Sequence, residues 1–283
     1  MQWSVGKVTI TRIVELETSG GTRFILPRAG PDDVRALPWM RPHFADENGR
    51  LKMTVHALVV QTPTLRIVVD TGLGNDKQGR AVPVWNQRRT PFLEDMTAAG
   101  FAPESIDRVL CTHLHVDHVG WNTRLVDGRW VPTFPNAGYL FGQIEYDHWK
   151  AHSDSPEHAA VFNDSVRPIV DAGRVEFVAS DQQLSDEITL IPTPGHSPGH
   201  VSVWIRSDGQ QALLAGDVAH SPIQMAQPSW SSTADSDPAQ SAATRHELFA
   251  RFADTPTLVI GGHYEAGYIQ RDGEAFKFIA LQG

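Results

Sequence analysis

Apolar positions alternate with polar ones most clearly at residues 7–17, through Val8, Ile10, Ile13, Val14 and Leu16. Side chains two apart share one face of a strand, so this stretch predicts a first, half-buried strand. Residues 53–61 and 65–70 are strongly apolar instead (Ala57, Leu58, Val59, Val60; Ile67, Val68, Val69) and meet at Thr62 and Pro63. Short apolar runs bounded by a turn predict buried strands. Residues 92–99 predict a helix closed by Gly100, and residues 105–110 the next strand. A short strand is expected at 137–141, then helices at 143–151 and 157–171 around a break at Pro156. Further strands are expected at 175–178, 188–192, 201–205, 211–215 and 257–260, and a helix at 238–253 with Leu248, Phe249 and Phe252 on one side. Strand–helix alternation mixed with strand pairs that lack a helix predicts an α/β fold of two sheets covered by helices.

Residues 18–48 break this regularity with Gly20, Gly21, Pro27, Gly30, Pro31, Pro38 and Pro42, and carry Phe24, Trp39, His43 and Phe44. A long irregular segment in a compact domain is usually functional or disordered, and aromatics argue against disorder. A lid over the site or a dimer arm is expected here, within a single domain spanning residues 1–283. A homodimer is the matching expectation for assembly.

Composition narrows the picture. Hydrophobic residues make up 41% of the 283, enough for a sizeable core. A formal net charge of −9 argues against nucleic-acid binding, which needs a basic face. The single cysteine, Cys111, excludes an intrachain disulfide, and its place at a strand end predicts a buried thiol. The N-terminus lacks an apolar signal core and no apolar run reaches the length of a membrane span, so a soluble, cytoplasmic protein is expected with no membrane partner.

The chemistry concentrates in one place. His113, His115, Asp117 and His118 fall within six residues, directly after the apolar run 106–110. Residues two apart point in different directions on a helix, so this pair belongs on extended or turning backbone. A single tetrahedral zinc needs only four ligands, and two ligand pairs from one short loop suggest two ions. Asp70 ends a buried strand, where a carboxylate is costly unless partnered. His148, His152 and His158 lie among polar residues and are expected as solvated helix positions.

The string His113-Leu114-His115-Val116-Asp117-His118 resembles the signature of the metallo-β-lactamase-fold hydrolases, and the resemblance covers roughly residues 53–263. It implies a four-layer αβ/βα sandwich. It implies one metal held by His113, His115 and His196, a second held by Asp117, His118 and His263, and Asp217 bridging them. His196 opens the turn 195–200, whereas His200 begins the next strand and is expected behind the ligands. Asp70 matches the family's aspartate that orients a ligand histidine. Five histidines and two carboxylates suit two zinc ions per chain, although Fe, Mn, Co or Ni are also accommodated by such donors. The family's flavodiiron branch carries Glu where this chain keeps His115, which favours zinc.

The chain is most similar to the lactonase- and phosphotriesterase-like branch, which includes quorum-quenching lactonases and methyl parathion hydrolase. The resemblance implies a dinuclear zinc hydrolase that directs a metal-activated hydroxide at a small-molecule lactone or other carboxylic ester, with Asp117 steering the proton. Organophosphate triester or β-lactam hydrolysis is the alternative within the class, and iron-dependent persulfide dioxygenation the alternative outside it. Lactonases that act on N-acyl homoserine lactones carry a tyrosine three residues after the bridging aspartate. This chain has His220 there, expected to face the cleft and contact substrate rather than metal. Trp121, which follows the metal loop, with Phe44 and Trp39, is expected to line the substrate cleft.

Overall fold

The computed structural model describes residues 1–20, 22–152 and 155–281. The chain forms two compact units: residues 1–15 with 55–180, and residues 16–54 with 181–283. Among the described residues, no helix is long and apolar enough to cross a membrane.

The first unit is built on a seven-stranded sheet, in the order Gln2–Val5, Val8–Ser19, Lys52–Gln61, Arg66–Val69, Arg108–Leu110, Gly138–Gly142 and Val175–Val178. Arg66–Val69, Arg108–Leu110, Gly138–Gly142 and Val175–Val178 pair in parallel. Seven consecutive residues of Lys52–Gln61 are buried, as the unbroken apolar run requires. The core gathers Val59, Val68, Val109, Cys111, Phe134, Tyr139 and Phe141 from the sheet side, with Phe92, Met96 and Ile169 from helices. The buried Cys111 thiol is pushed up by desolvation, which leaves it uncharged and inert.

The helix expected at 157–171 is three pieces: Pro156–Val161, a π-turn at Phe162–Val166, and Arg167–Asp171. The cause is Pro168, which has no N–H for the carbonyl of Asp164, four residues earlier. That carbonyl accepts instead from Lys77 Nζ at 3.0 Å and from the Thr123 hydroxyl. Thr123 belongs to a hairpin, Thr123–Val126 with Arg129–Pro132, whose polar, half-exposed strands carry little pattern.

The second unit holds a six-stranded sheet ordered Ile188–Pro192, Val201–Ser207, Gln210–Gly216, Leu258–Gly261, Gly267–Asp272 and Ala275–Ala280. Only Gln210–Gly216 and Leu258–Gly261 pair in parallel. The helix Pro238–Phe252 starts at Asp237, whose carboxylate accepts from the N–H groups of Ala239 and Gln240. Its Leu248, Phe249 and Phe252 join Leu213, Val259, Phe276 and Phe278 in the core.

Residues 18–48, expected as a lid or dimer arm, contain short helical turns at Thr22–Ile25, Pro31–Arg35 and Pro38–Met40. Gly21 lies outside the described residues. Leu26, Ala29, Val34, Met40, Phe44 and Ala45 are buried in the core of this unit, so much of the segment is integral packing. Thr233 donates from its N–H to the Ile25 carbonyl and from its hydroxyl to that of Phe24, tying the segment to a distant loop.

Candidate metal centre

In the first unit, the ligand loop hangs from Asp70. Asp70 ends its strand with φ of +56°, a left-handed conformation that aspartate tolerates better than most residues. This aims its carboxylate at the loop. Oδ1 accepts from the Thr112 N–H at 2.8 Å, and Oδ2 from the Thr112 hydroxyl at 2.8 Å and His118 Nδ1 at 2.9 Å. His118 Nε2 lies 3.7 Å from Asp117 Oδ1. His113 Nδ1 meets the Thr112 hydroxyl at 3.1 Å, while its Nε2 lies 3.0 Å from His115 Nδ1. Nitrogens sharing a tetrahedral zinc at 2.0–2.1 Å would stand roughly 3.3 Å apart, close to this spacing. Glu145 braces the loop by accepting from the Leu114 N–H at 3.0 Å and from Trp149 Nε1 at 2.6 Å. The loop ends at Gly120, where a Cβ would overlap the Leu73 backbone, so only glycine allows that approach.

In the second unit, three imidazoles surround one oxygen. Asp217 Oδ2 lies 3.0 Å from His263 Nε2, 3.3 Å from His220 Nε2 and 3.5 Å from His196 Nε2. The far nitrogens of two rings are fixed: His263 Nδ1 donates to the Thr54 carbonyl and His196 Nδ1 to Asp235 Oδ1, each at 2.9 Å. His196, Asp217 and His220 form a group able to hold a metal ion, with one ligand atom from each within 4.8 Å of the others. His196 sits on a turn whose Gly195 has φ of +128° and no room for a Cβ against the Ser241 backbone.

His200 stands behind this group. It accepts the Asp217 N–H on Nε2 at 3.0 Å, which leaves Nδ1 as the donor to the Thr193 hydroxyl at 2.8 Å. His220 is fully buried with Nδ1 unpartnered. Desolvation pulls its pKa down, aided by His196 and His263 and opposed by Asp217, so its imidazole is neutral near pH 7.

The donor set passes a simple test for a cation. A neutral imidazole has one N–H and one lone pair. In His196 and His263, both ring nitrogens lie within 3.5 Å of an oxygen, and each such oxygen is a carboxylate or a backbone carbonyl. One nitrogen donates; the other directs a lone pair toward a carboxylate unless the ring is protonated or a cation lies between. A metal between lone pair and carboxylate removes the conflict, and this is how metal-bound histidines are usually backed. These residues therefore fit divalent metal.

Trp121 is buried, stacks on Phe92 at 5.5 Å and donates from Nε1 to Glu15 Oε1 at 3.0 Å. Phe44 is buried against Tyr264 and Phe278. Core contacts account for the burial of both without a substrate, whereas Trp39 packs against the second core and stays partly exposed. The rings of His148 and His152 stack at 4.2 Å, and His158 packs on Trp149 at 4.6 Å. None of the three joins a metal-holding group among the described residues. Two buried residues carry no sequence signal: Asp235, which holds His196, and Arg245, 3.6 Å from Asp235.

Known proteins resemble this chain in sequence and in fold. A probable metallo-hydrolase of Bacillus subtilis (strain 168), YflN, is 30% identical over 187 residues, 58% of this chain and 63% of its own length. An N-acyl homoserine lactonase of Bacillus cereus is 22% identical over 176 residues, with the same coverage of each. The chain thus spans 63% of the length of these curated relatives. Among solved structures, the hydrolase AbOPH of the β-lactamase superfamily aligns with a TM-score of 0.80 at 22% identity, covering 100% of this chain and 97% of the other. AidC, a dizinc quorum-quenching lactonase, aligns with a TM-score of 0.77 at 20% identity and the same coverage. These alignments establish the metallo-β-lactamase fold. The family model for the metallo-β-lactamase superfamily matches residues 52–263, from the strand Lys52–Gln61 to His263, and the chain belongs to that superfamily.

Proposed function

We propose that this protein is a dinuclear, zinc-dependent hydrolase of lactones or other carboxylic esters. The observation that carries the reading is that His196 and His263 each have both ring nitrogens against acceptor oxygens, a pattern that metal resolves. On the resemblance of the ligand string, His113, His115 and His196 would hold one ion and Asp117, His118 and His263 the other, with Asp217 available to both. The names of relatives supply the bond type: the Bacillus cereus protein is an N-acyl homoserine lactonase and AidC a dizinc lactonase.

When bound, zinc supplies a Lewis acid for a carbonyl oxygen and lowers the pKa of a coordinated water to about 7. The chain supplies the rest. Asp70, Asp235 and the Thr54 carbonyl hold the outer N–H groups of His118, His196 and His263, so that each Nε2 offers its lone pair. Asp217 places a negative charge where two cations would repel. Asp117 receives the proton released as water attacks, and His220, neutral and buried, meets the substrate or leaving oxygen with a hydrogen bond.

The test is metal analysis of protein purified without chelator, then turnover on lactones, aryl esters, phosphotriesters and β-lactams. Two zinc equivalents and the highest kcat/KM on a lactone or ester are expected. A single iron with dioxygen uptake on a persulfide would replace this reading with an oxidative one.

A further inference from the structure

His196 is backed by a buried pair of charges that the ligand pattern does not include. Asp235 receives the His196 Nδ1–H on Oδ1 and the Ser232 N–H on Oδ2, each at 2.9 Å. The backbone just after Asp235 is locked to the same turn: the Ser236 N–H donates to the His196 carbonyl and the Asp237 N–H to that of Gly195. Arg245 is fully buried and spreads its guanidinium over four neutral acceptors. Nε donates to the Val218 carbonyl at 2.6 Å, Nη1 to the carbonyls of Pro228 and Trp230, and Nη2 to the Ser241 hydroxyl at 2.8 Å. The compensating charge is Asp235, 3.6 Å from Nη2.

Burying such a pair is costly, and apolar residues of the same volume often serve stability as well or better. The pair therefore calls for another role, and its contacts supply one. Asp235 fixes the tautomer and plane of His196, and Arg245 grips the carbonyl of Val218, the residue after Asp217. One cation thus ties together the supports of two proposed ligands.

We propose that Asp235 and Arg245 are positioning residues that set the affinity of the ion held by His196, leaving the ion held by Asp117, His118 and His263 largely unaffected. Asp235 holds Nδ1–H so that Nε2 stays a lone pair, and its charge raises the basicity of the ring. Arg245 fixes Asp235 and the Val218 carbonyl in one frame. The inference rests on the dinuclear reading above.

The experiment is zinc competition against a chromophoric chelator with the full chain. Wild type is expected to release two equivalents. Asp235→Asn keeps size and an acceptor but removes the charge, and should weaken one equivalent by about 10–100-fold while the other stays at wild-type affinity. Metal-free melting separates this from a loss of fold. Arg245→Lys, the second variant, keeps the charge but cannot span the four acceptors, and should weaken the same equivalent by less, with a still smaller effect on the other through Asp217. If Asp235→Asn does not fold, Arg245→Lys decides alone. Two equivalents at wild-type affinity in every folded variant would overturn the proposal, as would equal weakening of both. Wild-type protein that takes up no zinc would instead overturn the dinuclear reading.

Discussion

His196 and His200 lie four residues apart with opposite tasks, which makes them a sharp pair for mutation. His196→Ala removes a proposed ligand and should cost one zinc equivalent and nearly all turnover. His200→Ala removes the acceptor of the Asp217 N–H. A buried donor left unsatisfied costs about 1–3 kcal/mol, so this variant should lose roughly that much stability in urea while keeping its zinc. Metal loss in His200→Ala with retention in His196→Ala would reverse the assignment. His220 is the third test. His220→Ala should keep both ions, and turnover of the best ester should drop on the order of 10²–10³-fold, the usual effect of losing a preorganised donor. Zinc analysis with steady-state kinetics distinguishes this from ligation, since its Nε2 also lies 3.3 Å from Asp217 Oδ2. At this scale the sequence is legible where ligands crowd one loop, as at His113, His115, Asp117 and His118. Asp235 is illegible because its meaning depends on a histidine 39 residues away. Trp121 shows that an aromatic beside such a loop can serve a core, since it is buried and stacks on Phe92.

Elements with strong patterns are recovered within a few residues: the buried strands Lys52–Gln61 and Arg66–Val69 and the helices Phe92–Ala98 and Pro238–Phe252. The terminal strands Gly267–Asp272 and Ala275–Ala280 escape, because the first turns polar and exposed after Ile269 and the second offers only Phe276 and Phe278 as a buried pair. The interrupted helix at 156–171 shows what pattern alone omits. Pro168 frees the Asp164 carbonyl, and Lys77 fills the gap while its ammonium lies 3.6 Å from Asp164 Oδ1 and 3.7 Å from the Trp130 ring centre. Arg80 makes a two-pronged pair with the same carboxylate. Burial, opposed by Asp164 and aided by Arg80, pulls Lys77 from its ordinary 10.5 down to about 7. Between those values the unfolded chain carries a proton that the folded chain has released. This group therefore adds stability as pH rises above about 7, and the gain is absent below it. In metal-free protein, the stability of wild type relative to Lys77→Met should rise by up to about 2 kcal/mol between about pH 6.5 and 8.5. Urea titrations at the two pH values measure it, and a difference that stays flat or falls would show that Lys77 keeps its proton.

The whole chain carries a formal net charge of −9, and the second unit concentrates carboxylates and imidazoles around Asp217 with little water to screen them. Without a cation, the lone pairs of His196 and His263 are set against that carboxylate; with one, the same contacts become attractive. Metal binding is thus linked to folding, since the unfolded chain offers no preformed site. An ion present at 100 times its dissociation constant adds about 2.7 kcal/mol per site, less whatever affinity the unfolded histidines retain. For a chain of this size, each kcal/mol moves the melting temperature by about 2–4 °C, so filling one site should raise Tm by roughly 5–10 °C. Calorimetry in zinc-buffered solution and again after chelation and dialysis should show that drop, recovered when zinc is restored. Asp217→Asn should melt much closer to its chelated form, because this carboxylate is proposed to support both ions. A Tm indifferent to chelator would overturn the reading that metal occupies this site, since the lone pairs facing Asp217 would then be accommodated without a cation.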